Sequence, residues 1–202
     1  MSDLYQTQEW KSIPVRERYC LLPTMEDVRP GALVKVENPQ IKALEYCLQE
    51  KGMKSYREKD RLWFVSKNEN LLEDIAKKSM SHSKTKSSYP ISEEEKEYHT
   101  SIGKFFGYPK CCVKTFVKSL DNKLLPLREW RKKAGMVLLK GDYNNLFDYT
   151  LHVPCGLECK GTTKIAEEIK KCLENYDKKA AEHLRKFNRD SIERAAKKCI
   201  TT

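Results

Sequence analysis

The sequence predicts an α+β protein: a small N-terminal β-α-β-β-α unit followed by a mainly helical domain that carries a cysteine site. Three observations predict it. Residues 31–79 alternate short runs rich in β-branched and aromatic residues with two segments of helical periodicity. Residues 91–202 carry apolar residues at three- and four-residue spacing over most of their length. Between the two, residues 80–90, from Met80 to Pro90, are rich in Ser and Lys and lack apolar periodicity, as a linker does. The expected organisation is an α+β domain over 1–79 with its ordered core at about 31–79, a linker at 80–90, and a helical domain over 91–202.

Taken in order, residues 1–30 hold Pro14, Pro23 and Pro30 and show no sustained period apart from a short helix near Val15 to Leu22. Leu33 to Val36 reads as a strand. Asn38 and Pro39 look like N-cap and first helical position, and Ile41, Leu44, Cys47 and Leu48 share one face before Gly52 ends the helix. Met53–Arg57 and Arg61–Ser66 flank a hairpin turn at Lys59-Asp60, and a second helix over Asn70–Lys78 turns Leu71, Leu72 and Ile75 inward. Helices over one face of an antiparallel sheet are expected. In the second half, Ser92 with Glu95 forms a capping box for a helix that runs to Phe106 and stops at Gly107. Pro109 opens a helix through Lys118, and another spans about Pro126–Lys140. Tyr149–Pro154 is extended. From Thr162 or Thr163 a long amphipathic helix places Ile165, Ile169, Cys172, Leu173, Tyr176, Ala180, Leu184 and Phe187 on one stripe, with a break expected at Asn188.

The polar start, Met1 to Trp10, does not read as a secretory leader, and no apolar run nears the roughly 18–20 residues that span a bilayer. A soluble, cytoplasmic protein is expected, with no membrane partner. Lys and Arg total 39 against 29 acids, a formal charge of +10. Such an excess suits RNA or DNA through phosphate neutralisation, although acids interleaved along the chain describe a solvated lysine-rich surface equally well. Eight cysteines in a reducing cytosol point to metal, catalysis or burial rather than to a disulfide framework.

Two patches concentrate that chemistry. In Gly107-Tyr108-Pro109-Lys110-Cys111-Cys112, Pro109 places both cysteines in the first turn of a helix, where unpaired N–H groups and the positive dipole end favour thiolate. Neighbouring helix positions diverge by about 100°, so one ion is expected to engage both sulfurs only through a distorted turn, and a cluster or a split of roles is easier. In His152-Val153-Pro154-Cys155-Gly156-Leu157-Glu158-Cys159, the Cys-x3-Cys pair lies in a loop before another helix N-terminus, with His152 as ligand or proton donor. The candidate metal ligands are therefore Cys111, Cys112, Cys155, Cys159 and His152, an inventory that suits zinc or an iron–sulfur cluster. Buried cysteines with one reactive thiol, and disulfides between the patches, are the competing readings. Cys47 and Cys172 sit on apolar helix faces and read as core; Cys20 and Cys199 receive no chemistry. His99 lies where its helix could bring it toward the site, His82 reads as solvated, and His183 as polar-side. Walker, dinucleotide and nucleophile-elbow motifs are lacking.

The two patches resemble an uncharacterised, mainly archaeal protein family with a Gly-Tyr-Pro-x-Cys-Cys-Val-x-x-Phe motif, here Gly107 to Phe116, and a later His-x-Pro-Cys-x-x-x-Cys motif, here His152 to Cys159. The resemblance covers chiefly residues 100–170 and implies no named activity. Three functions stay open: a metal or iron–sulfur protein with redox or sulfur-transfer chemistry, a nucleic-acid-binding module with a structural metal, and a disulfide-stabilised binding protein without metal.

Overall fold

The computed structural model of the chain describes residues 4–59, 61–82, 91–120 and 126–200. A 3-10 turn at Leu4–Gln6 leads into α1 (Gln8–Ser12) and α2 (Val15–Met25). Thr7 caps α1 by accepting from the Trp10 N–H at 3.2 Å. This stretch, weakly patterned in sequence, supplies much of the core: Trp10, Ile13, Leu21, Leu22 and Met25 are each at most 1% exposed. From Leu21 to Met25 every residue of α2 is buried, and a helix covered on several sides has no solvent stripe to show as a period.

There follow β1 (Gly31–Lys35), α3 (Asn38–Glu50), β2 (Lys54–Lys59), β3 (Leu62–Ser66) and α4 (Glu69–His82). The expected β-α-β-β-α order is present. The strands form one antiparallel sheet in the order β1-β3-β2. One detail moves: Glu37, not Asn38, caps α3, in a reciprocal capping box with Gln40. The expectation of helices on one sheet face is also corrected. Val34 pairs with Trp63 and Ala32 with Val65, and these four face α2 and α3 in the main core. Leu33 pairs with Phe64 on the opposite face, which packs on Leu72, Ile75 and Phe105. Three consecutive buried residues, Trp63, Phe64 and Val65, mark a strand covered on both sides.

The remaining helices are α5 (Glu93–Phe105), α6 (Lys110–Leu120), α7 (Pro126–Leu139), α8 (Lys160–Tyr176) and α9 (Lys178–Ile200), with a 3-10 turn at Asn145–Tyr149. Ser92 caps α5 by accepting from Glu95 N–H. The long helix breaks at Asp177, not Asn188. Asp177 accepts the Ala180 N–H at 2.9 Å and so caps α9, while Asn188 lies inside α9 and donates to the Asp148 and Thr150 carbonyls.

Most of the expected linker, residues 83–90, lies outside the described residues, and α4 extends through His82. His82 stacks on Tyr98 at 4.2 Å, in place of the solvated position expected, and His183 stacks on Tyr19. The packing crosses that compositional boundary. Core residues of 4–65 form one cluster with Tyr149, Ala166, Ile169, Leu173 and Leu184. No described helix is long and apolar enough to cross a membrane.

Candidate metal centre

The first cysteine patch is aimed by a helix end. Gly107 takes φ +69 to close α5, and a Cβ there would lie 2.6 Å from Pro30 Cδ, so both backbone and space demand glycine. The chain then turns through Tyr108, whose hydroxyl donates to the Leu151 carbonyl at 2.8 Å and ties the patch to the second one. Cys111 and Cys112 follow in the first turn of α6. Cys159 is the N-cap of α8, and Gly161 lets that helix approach: a Cβ there would meet Pro109 at 3.0 Å. Two helix N-termini thus converge on one spot, each presenting the positive end of its dipole.

All four sulfurs meet there. Sγ of Cys111, Cys112, Cys155 and Cys159 lie within 4.8 Å of one another. Cys111 and Cys112 are 4.0 Å apart, and each stands 3.6 Å from Cys159. These separations are far beyond the about 2.05 Å of a disulfide, and the seven described cysteines are free. Adjacent helix positions do not by themselves keep the two sulfurs from one spot. Cα–Cβ bonds tilt toward the helix N-terminus, so in a first turn both side chains lean past the helix end, and the angular divergence no longer separates them.

The surroundings treat the thiols unequally. Cys112 is buried, 3.3 Å from Thr162 Oγ1 and reached by the Cys155 N–H at 3.4 Å. Burial pushes its thiol up to about 11 despite those hydrogen bonds. Cys155 is also raised, by burial and by the neighbouring thiols. Cys159 goes the other way: burial opposes its thiolate, but the Thr162 hydroxyl and N–H with the Cys155 and Cys111 thiols outweigh it and hold the group at about 6. Of the thiols at the site, Cys159 is thus the one whose surroundings favour the thiolate, the form that binds a metal ion.

His152 stands one hydrogen bond behind the sulfurs. Its Nε2 is 2.9 Å from Thr162 Oγ1, the same oxygen that contacts Cys112, and its ring lies 5.0 Å from that of Tyr108. The sequence singled out His152 but gave no weight to Thr162, which a hydroxyl one turn after Cys159 could have suggested. His99 packs edge-to-face with Phe116 and lines the same cavity as Cys112 and His152. Cys47 and Cys172 are core, as expected; the Cys199 side chain lies outside the described residues.

Burial, with Arg29 nearby, lowers His152 to about 4. The unfolded chain protonates it near 6.5, so its contribution is complete above that pH and is lost as pH falls toward 4. In metal-free protein, denaturant unfolding should show a stability loss of up to about 3 kcal/mol across that window. The loss should be clearly smaller in His152→Phe. Equal slopes in the two proteins would show that His152 is not the group responsible.

A protein-family model described as "Protein of unknown function (DUF483)" matches residues 75–187, more than half of the chain and the stretch that holds all four cysteines. No curated protein and no solved structure matches the chain.

Proposed function

Because the chain belongs to the DUF483 family of unknown function, we propose from its own geometry that it is a zinc protein whose ion is held by Cys111, Cys112, Cys155 and Cys159. One observation carries this: the spacing of the sulfurs. Zinc–thiolate bonds of about 2.3 Å in a tetrahedron put the sulfurs about 3.8 Å apart; three pairs here span 3.6–4.0 Å, and all four sulfurs lie within 4.8 Å of one another. A [4Fe–4S] cluster binds each cysteine to a different iron with sulfides between, which requires the thiolates to stand farther apart. Four thiolates close the coordination shell, so the role is to bind α6 to the loop before α8. Zinc has no redox couple, and sulfur transfer would need an open position or a spare thiolate, which a four-thiolate shell does not leave. His152, through Thr162, orients the shell around Cys112.

Protein purified without oxygen is expected to hold one zinc per chain and to be colourless. Cobalt(II) in its place should give the intense charge-transfer bands of a tetrahedral four-thiolate site. Iron with acid-labile sulfide, or cobalt spectra of a lower thiolate count, would overturn the assignment.

A nucleic-acid role of the same closed site draws support from four exposed lysines on the first turns beside the cysteines, Lys110, Lys114, Lys160 and Lys164. It predicts RNA or DNA binding whose log affinity falls with log salt. Replacing those four lysines by glutamine should remove most of that slope.

A further inference from the structure

Behind the cysteine site lies a cavity of about 430 Å³, in the size range of small-molecule pockets. It opens between α2, α5, α6, α7 and α9. Its walls are apolar and aromatic, with Ile102, Phe106, Phe116, Leu184 and Ile192 among them. No aspartate or glutamate lines it. Two arginines do: Arg16 from α2 and Arg131 from α7.

Arg131 is held in an unfavourable setting. Partial burial and the like charge of Arg194 both work against its cation. Two further residues of the wall, His152 and Trp130, each carry a buried ring nitrogen, Nδ1 and Nε1, with no hydrogen-bond partner. An apolar chamber with two cations, no acid and two unmet ring nitrogens is complementary to a molecule with an apolar body and one anionic end. A carboxylate fits better than a phosphate. One arginine satisfies a carboxylate with two parallel hydrogen bonds, whereas a dianionic phosphate calls for a denser ring of donors than these walls provide.

We propose that this cavity binds an apolar monocarboxylate, its carboxylate taken by Arg131 and Arg16 and its body packed among Ile102, Phe116 and Leu184. The proposal does not depend on the metal assignment, since none of these residues is a thiolate.

The test uses 4-phenylbutyrate and its uncharged amide, titrated into the whole protein while the tryptophan indole N–H signals are followed by NMR. Trp130 lines the cavity, whereas Trp10 lies in the main core, which makes the readout local. The acid should shift the Trp130 signal saturably and leave Trp10 in place, and the amide should bind at least about tenfold more weakly. Arg131→Met should bring the acid down to the level of the amide. Arg16→Met, on a different helix, should weaken it in the same sense, so one unstable variant does not spoil the test. Equal binding of acid and amide, affinity unchanged in both variants, or an unmoved Trp130 signal would each overturn the proposal.

Discussion

Alanine at Cys111 is expected to lower the melting temperature of the zinc-loaded protein by on the order of 10 °C, although that side chain is exposed. An exposed thiol that only faced water would cost within about 0.5 kcal/mol to remove. As a ligand it costs the metal-linked part of stability, about 4 kcal/mol when free zinc is a thousandfold above its dissociation constant. At roughly 2–4 °C per kcal/mol for a chain of this size, that gives the stated shift. Cys112→Ala should lose metal equally and add the cost of a cavity, because its sulfur is buried. Cys47→Ala, a core change far from the site, should lower stability with metal content intact. The discriminating comparison is with chelator: wild type and Cys111→Ala should then melt together. A Cys111→Ala protein that keeps both its zinc and its melting temperature would remove that sulfur from the site.

The site was legible in the sequence because its residues lie in two dense patches, each beside a helix-start signal. Proline before Cys111 and a Gly-containing loop before the α8 helix both announce exposed N–H groups, and those groups favour thiolates. The convergence of the patches across some forty residues was an inference from chemistry alone. Its geometric detail was not legible, because whether adjacent cysteines share a target depends on their place in the helix turn. The order of strands and helices was legible from periodicity. What sequence could not show was burial without a period: α2 and β3 are covered on opposite sides, and a pattern reader finds only continuous or irregular apolar residues there. The break at Asp177 was hidden for a related reason, since the apolar stripe continues in phase across it and only the capping role of the aspartate marks the boundary.

That aspartate also yields the second large expectation. Asp177 is 8% exposed and accepts from three places: the Arg18 guanidinium at 2.8 Å, the Trp10 indole N–H at 3.0 Å and the Ala180 N–H that starts α9. Arg18 and Trp10 belong to the N-terminal helices, so this one carboxylate joins the two halves of the chain. Removing it leaves a buried cation unpaired, and breaking such a pair costs roughly 3–5 kcal/mol. Asp177→Ala should reach or exceed that range, because the cap is lost as well. The indole bonds to Oδ2 and the Ala180 N–H to Oδ1, so Asp177→Asn keeps an acceptor for one of the two and should lose less than alanine. The informative protein is Arg18→Met combined with Asp177→Asn. It removes the stranded charge while keeping one of the two neutral hydrogen bonds, so it should be more stable than Asp177→Asn alone, with a coupling of about 1–3 kcal/mol in a double-mutant cycle. All variants should unfold in one transition, since the core crosses from residues 4–65 to 149–184. Additive losses would show that Arg18 and Asp177 act independently, and two separate transitions would show that the halves do not fold as one unit.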